Sequence, residues 1–337
     1  MALNNMSAIM QHSTTRSNNK LFRVKYYMIL ISPLPIAAVA ILFGRYSILF
    51  PLSSTDLFIL GGVRLPRVLM TMMTGAALSI AGASLQSTLR NPLASPYILG
   101  LSQGAAFGAA LAMIVLPYSQ FMLPVMAFIF GLIAITITCM LARIRGTFSN
   151  LAVVLSGVIV AGVFTAFLSI VKLIADPYSL SGLVFWTMGG FYRVDWGKIL
   201  IVAPGLVTGF IILSLMGWRL NVLSMGEEDA KSLGVNVRRD TIIVVSLSAL
   251  VCALAIAVSG IVAWVGLIIP QMVRGIIGPD NRYIIPASLA FGASFLLIVD
   301  TLCRSLFTFE VPVSIITTLV AAPYFILLLR RIGGGWR

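Results

Sequence analysis

Long apolar runs separated by short polar breaks fill the chain from Val24 to Arg331. Placed by hydropathy and length, they predict membrane spans at about 25–44, 64–84, 97–116, 121–142, 150–172, 198–217, 240–260, 264–277, 283–302 and 312–330. The short alternating strands of a membrane barrel do not occur. The pattern therefore predicts an all-α polytopic membrane protein with ten transmembrane helices. The eighth is too short to cross comfortably, and Pro270 is expected to break it. A broken helix at membrane depth survives only where protein or a water-filled cavity covers the freed backbone groups. Residues 264–277 are thus expected to act as a structural pivot. Residues 1–24 are expected to form a polar cytoplasmic tail, 25–332 the transmembrane domain and 333–337 a cytoplasmic C-terminus.

Composition agrees. Hydrophobic residues make up 59% of the chain and charged residues 10%, against about 25% charged in soluble domains. The net charge of +13 then reports orientation in a membrane, because Lys and Arg collect in cytoplasmic loops. With both termini cytoplasmic, Arg16, Lys20, Arg23, Lys25, Arg90, Arg143, Arg145, Arg219, Lys231, Arg238, Arg239, Arg274, Arg282, Arg330, Arg331 and Arg337 lie inside. Only Arg45, Arg64, Arg67, Lys172, Arg193, Lys198 and Arg304 lie outside. No basic stretch sits on a soluble module, so nucleic acid is not a partner. Cleavage after Ala38-Val39-Ala40 would need a signal peptide with an unusually long polar region, so a retained tail is expected.

Chemistry is sparse. Cys139, Cys252 and Cys303 fall in or beside apolar helices and are expected to pack as small hydrophobes. The one histidine, His12, is in the tail, so no metal site and no cofactor are expected in this chain. The span centres lack the acidic relay of many ion-driven carriers. Asp300 and Arg304, spaced i, i+4 near an outer helix end, can pair; Lys172 and Asp176 lie at another. Gly100, Gly104 and Gly108 share one helix face, and Gly75 to Ala83 is rich in small residues. Both patterns permit close backbone contact, within one subunit or between two.

One stretch breaks the apolar monotony. "MGEEDAKSLGVNVRR", 225–239, sets Glu227, Glu228 and Asp229 side by side, although the chain has only ten acidic residues. Gly226 to Gly234 has the makings of a short cytoplasmic helix, with acids at its positive end, Lys231 later and Gly234 as a left-handed stop. Ala230 and Leu233 would give it one small apolar face. So few residues are not stably helical alone in water, so its own loop or a partner must hold it. No G-x-x-x-x-G-K-[ST] phosphate loop exists. ATP, if used, and its Mg are expected to be bound by another chain, with this one a non-catalytic subunit.

Several long motifs follow one another along the chain: "RLPRVLMTMMTGAALSIAGASLQSTLRNPLASPYILGLSQGAAFGAAL" (64–111), "FWTMGGFYRVDW" (185–196), "GEEDAKSLGV" (226–235), "VGLIIPQMVR" (265–274), "GPDNRYIIPASLAFGASFLLIVDTLCR" (278–304) and "EVPVSIITTLVAAPYFILLL" (310–329). In this order they resemble the metal-chelate family of ATP-binding cassette importer permeases, which serve ferric siderophores, haem and vitamin B12. The resemblance implies a homodimer in a bacterial inner membrane, two cytoplasmic ATPase subunits and an external substrate-binding protein. It implies that Gly226, Glu227, Glu228, Asp229, Ala230, Lys231, Ser232, Leu233 and Gly234 form the coupling helix inserted into the ATPase. Arg64, Arg67 and Arg304 match outward arginines that meet acidic residues of the binding protein, with pairing inside the chain as the alternative. Thr147, Phe148, Ser149 and Asn150 match a cytoplasmic gate, with an ordinary tight loop as the alternative. Gln271 departs from the family, which often has His there.

The function expected is ATP-driven import of a metal-containing solute, or of an oxyanion such as molybdate or tungstate. The elements 188–191 and 194–196 resemble those of vitamin B12 permeases, yet substrate choice is expected to lie mainly in the binding protein. An ion-gradient-driven secondary transporter is the alternative. A membrane-bound enzyme is disfavoured by the lack of His/Cys clusters and paired buried carboxylates.

Overall fold

A computed structural model describes residues 20–44, 46, 53–115, 121–144, 147–148, 150–305 and 309–333. Among the described residues the regular structure is helical, apart from two paired strands of two residues each, Arg143–Ile144 and Thr147–Phe148. Among the described residues, seven helices are long and apolar enough to cross a membrane: α1 (Lys20–Leu42), α2 (Ser54–Thr88), α4 (Met122–Leu141), α5 (Asn150–Leu173), α7 (Trp196–Leu215), α10 (Val237–Ser259) and α12 (Asn281–Ser305). Shorter apolar helical stretches are α3 (Leu101–Val115), α11 (Val265–Ile277) and Val313–Leu328, the first part of α13 (Val313–Gly333). Between these lie α6 (Pro177–Thr187), α8 (Gly217–Met225) and α9 (Glu227–Ser232).

Helix α2 is the centre of the bundle, packed against α12, α10, α11 and α7, with 83% of its most apolar window buried. Small residues make this possible. A Cβ on Gly75 would strike the Gly292 carbonyl, and one on Gly82 would strike that of Gly266. In lipid the apolar effect does not drive helices together, so such close backbone packing supplies much of the attraction. Gly104 and Gly108 press on the backbone of α4 at Phe130 and Met126. Their stripe therefore serves packing within the subunit.

The sequence pattern starts the second span at 64, but α2 begins ten residues earlier, at Ser54. Ser53 opens it with a capping box: its Oγ accepts from Asp56 N at 3.1 Å while Asp56 Oδ2 accepts from Ser53 N at 2.8 Å. Gly61, Gly62 and Pro66 look like helix breakers. A π-turn over Ile59–Arg64 absorbs them, and Trp196 Nε1 donates to the Gly61 carbonyl at 2.9 Å.

The expected break at Pro270 is not there. Helix α11 runs through Pro270, whose missing N–H leaves the Gly266 carbonyl without its helical donor. Gln86 Nε2 lies 3.5 Å from that oxygen and 3.0 Å from Leu267 O. The chain unwinds upstream, between Ser259 and Val265, where Gly260 (φ 68°) and Trp264 (φ 71°) are left-handed. Its freed groups are covered as membrane depth demands. Tyr97 Oη donates to Val262 O at 2.6 Å, Ser314 Oγ donates to Ile261 O at 2.7 Å, and Gly190 N donates to Ser259 O at 2.8 Å.

Candidate functional site

The charged stretch folds as the short helix α9. Gly226 (φ 134°) turns the chain into it, and Gly234 (φ 76°) turns it out. Val235 N donates to Ala230 O and Gly234 N to Lys231 O, both at 3.0 Å, so the last carbonyls are satisfied. Lys231 Nζ pairs with Glu227 at 2.8 Å, and its hydrogen bond holds the Glu227 carboxyl below its usual range, helped by nearby Arg90. The expected apolar face is split. Ala230 is fully buried where α9 packs on α8 and α10, whereas Leu233 is 52% exposed. The chain thus grips its own helix through Ala230 and leaves one large apolar side chain outside.

Helix α8, which carries α9, is fastened at three places. Arg219 Nη1 donates to buried Asp240 of α10 at 3.0 Å. Gly217 lies so close to Asn281 and Arg282 that a Cβ would collide with the backbone. Asn221 Nδ2 donates to Asp280 Oδ1 at 2.7 Å, and its Oδ1 accepts from Asn281 N at 2.8 Å. Asp280 also accepts from Arg282, the main reason its carboxyl is lowered to about 2.

The same end of the bundle holds Gln271. Its Nε2 donates to Gln86 Oε1 at 2.9 Å and to Pro92 O at 3.0 Å. Arg274 donates to Gln86 Oε1 and to Ser87 Oγ. An amide suits this place because it donates to two oxygens whatever the pH.

At the opposite end, all three arginines singled out in the sequence meet acceptors of their own chain. Arg67 binds fully buried Asp300 with Nη2 at 2.8 Å and Nε at 3.1 Å, and Glu310 with Nη1 at 2.8 Å. Arg304 sits 3.7 Å from Asp300, so the i, i+4 pair exists but is the looser one. Arg304 also donates to Ala40 O, while Arg64 donates to Ile41 O at 2.9 Å, Leu42 O at 2.7 Å and Tyr46 O. Two buried arginines therefore cap the C-terminus of α1, whose last carbonyls have no helical donors. Beside this cluster lies a cavity of about 530 Å³, walled by Arg67, Phe185, Gly190, Arg193, Glu310 and Val313. Helix α6 forms one wall. Its start is legible in hindsight: Asp176 accepts from Tyr178 N and Ser179 N at 3.0 Å, and Pro177 takes the first helical position.

At the segment matched to a gate, Thr147 and Phe148 pair with Ile144 and Arg143 in the hairpin, and Asn150 starts α5. Ser149 lies outside the described residues. All three cysteines are free, with Cys252 and Cys303 buried.

Comparison with known proteins agrees with this architecture. The FecCD transport family matches residues 26–331, and the chain belongs to it. The molybdate import system permease of Haemophilus influenzae is 38% identical over 275 residues, covering 81% of each chain. The cobalamin import system permease of Halobacterium salinarum is 37% identical over 284 residues, covering 83% of this chain and 76% of its own. A solved metal-chelate type ABC transporter in an inward-facing conformation superposes with a TM-score of 0.84 at 34% identity, covering 91% of this chain and 98% of that one.

Proposed function

We propose that this chain is the membrane-spanning permease subunit of an ATP-binding cassette importer for a metal-containing solute: a ferric siderophore, haem, cobalamin, or an oxyanion such as molybdate or tungstate. It works as a homodimer of ten-span subunits in a bacterial inner membrane, with both termini cytoplasmic. Two cytoplasmic ATPase subunits bind ATP and Mg and seat on Gly226 to Gly234. A substrate-binding protein docks at the opposite end. The observation that carries this reading is Leu233: a half-exposed leucine on a rigidly capped, otherwise charged helix, at the end away from the Arg67 cavity.

The three arginines divide their work in this reading. Arg67 stands at the cavity wall and shares partly exposed Glu310, so it can exchange that partner for an acidic residue of the binding protein. Arg64 and Arg304 set the end of α1 and so shape the surface that docks. Thr147 to Asn150 serve as the cytoplasmic gate. Substrate choice belongs mainly to the binding protein, in keeping with relatives of nearly equal identity named for molybdate and for cobalamin.

The test is uptake in proteoliposomes holding the chain, its ATPase and its binding protein. Uptake that needs internal ATP and survives collapse of the ion gradients supports the importer. Uptake driven by an ion gradient with no ATPase present supports the secondary transporter instead.

A further inference from the structure

A continuous polar path joins the carrier of α9 to the central helix. It begins at Asn221, on the same face of α8 as Gly217, four residues away. Asn221 holds the turn before α12 from both sides, donating to the Asp280 side chain and accepting from the Asn281 backbone. Asn281, only 3% exposed, then accepts from Ser87 Oγ at 2.7 Å. Ser87 in turn accepts from Arg274 Nη2 at 3.1 Å, and Arg274 shares Gln86 Oε1 with Gln271. Gln86 closes the path on the backbone of α11 at Leu267. Four elements, α8, α12, α2 and α11, meet in one hydrogen-bonded chain, and its middle members Gln86, Ser87 and Asn281 are buried.

The other side-chain fastening of α8 leads nowhere comparable. Arg219 reaches Asp240 at the start of α10, and among the described residues Asp240 has no further side-chain partner that leads on to α2 or α11. A push on α9 thus meets a brace at α10 and a transmitting link at α12. The far end of that link is where the structure is least regular. Helix α11 is short, holds Pro270, and hangs from the unwound Gly260–Trp264 segment. A rigid rod between a polar latch and an unwound joint can tilt without breaking its own hydrogen bonds.

We infer that Asn221 is the positioning residue that carries displacement of α9 to the α2–α11 contact. The inference rests on the importer reading for what moves α9, but the link itself is a property of this chain. Spatial continuity alone does not establish coupling, so the test perturbs and restores one joint. Asn221→Asp keeps the acceptor for Asn281 N but sets a carboxylate against Asp280. Asp280→Asn alone leaves an oxygen for the Asn221 amide to bond. The double variant, Asn221→Asp with Asp280→Asn, rebuilds the pair with donor and acceptor exchanged.

In the full importer, Asn221→Asp is expected to keep assembly and ATP hydrolysis but to raise the ATP consumed per solute moved by about fivefold or more, the low end of usual couplings between sites. Asp280→Asn and the double variant are expected to stay within about twofold of the parent, well inside that coupling range. In the detergent-purified chain alone, amide exchange in 265–277 and 86–93 should rise in Asn221→Asp and return in the double variant. This arm needs no ATPase, so it separates failure of the link from failure of the importer reading. Unchanged exchange at α11 in Asn221→Asp overturns the inference, as does a double variant no better than the single one.

Discussion

Arg67 and Asp300 form a two-pronged ion pair between α2 and α12, with Nη2 at 2.8 Å and Nε at 3.1 Å from the two carboxylate oxygens. Asp300 is fully buried, and Arg67 is its closer basic partner, at 2.8 Å against 3.7 Å for Arg304. Removing one side of a buried pair leaves an uncompensated charge and typically costs about 3–5 kcal/mol. Arg67→Met is therefore expected to lower stability by roughly that amount, and Arg67→Met with Asp300→Leu to recover most of it. Thermal unfolding in detergent measures both. Equal losses in the single and double variants would assign the cost to packing.

The same pair tests the proposed docking of a binding protein at this end of the bundle. Arg67→Gln with Asp300→Asn removes both charges together and keeps hydrogen-bonding side chains in place. Binding-protein affinity should fall and become less salt-sensitive, because paired charges across an interface speed encounter and are screened by salt. Arg64→Gln, which alters only the α1 cap, should leave the salt slope unchanged. Affinity across a salt series decides, and a slope that moves with Arg64 but not with Arg67 would reverse the roles.

Glycine contacts at the core have a built-in control. Gly75→Ala drives a methyl into the Gly292 carbonyl, an overpacking expected to cost about 1–3 kcal/mol. At Gly162, on α5, nothing lies within 4 Å of the added carbon. There Ala should be neutral or stabilising by about 0.5–1 kcal/mol, through its better helix propensity. Unfolding curves should show a clear loss for Gly75→Ala and no loss for Gly162→Ala.

Much of this architecture was legible in residues. Apolar runs located the membrane helices, and the acid triplet with Gly234 located α9. What escaped was decided by partners distant in sequence. Pro270 reads as a break, but the break needs positive φ at Gly260 and Trp264 and acceptors covered by Tyr97 and Ser314. Ala230 and Leu233 are three apart and read as one face, yet only packing on α8 and α10 buries Ala230. Nor could spacing reveal that Arg64 and Arg304 converge on the end of α1, a helix 22 or more residues away in sequence. Helix α6 is the exception. Its Asp-Pro start was in plain sight but lay outside any apolar run long enough to be noticed.

Acid should loosen the Asn221 joint in a defined window. The Asp280 carboxyl is lowered to about 2, chiefly by hydrogen bonds from Arg282 and then Asn221. A lowered carboxylate contributes stability that is complete above its unfolded pKa, near 3.9, and lost as pH falls through the folded value. The difference in unfolding temperature between the parent and Asp280→Asn should stay constant from about pH 5 to 8 and shrink below about pH 4. A difference that varies around neutrality would mean that another group governs the joint.

The central claim is that Gly226 to Gly234 receives the ATPase, and Leu233 gives it the most direct measurement. Leu233→Glu changes a side chain that already faces outward, while Ala230 and the Gly234 cap still hold α9 in place. ATPase association and solute-coupled ATP hydrolysis are measured side by side for parent and variant in the reconstituted importer. The variant is expected to fold and insert like the parent but either to fail to retain the ATPase or to hydrolyse ATP without moving solute. A variant that binds the ATPase and imports with parental coupling would contradict the claim.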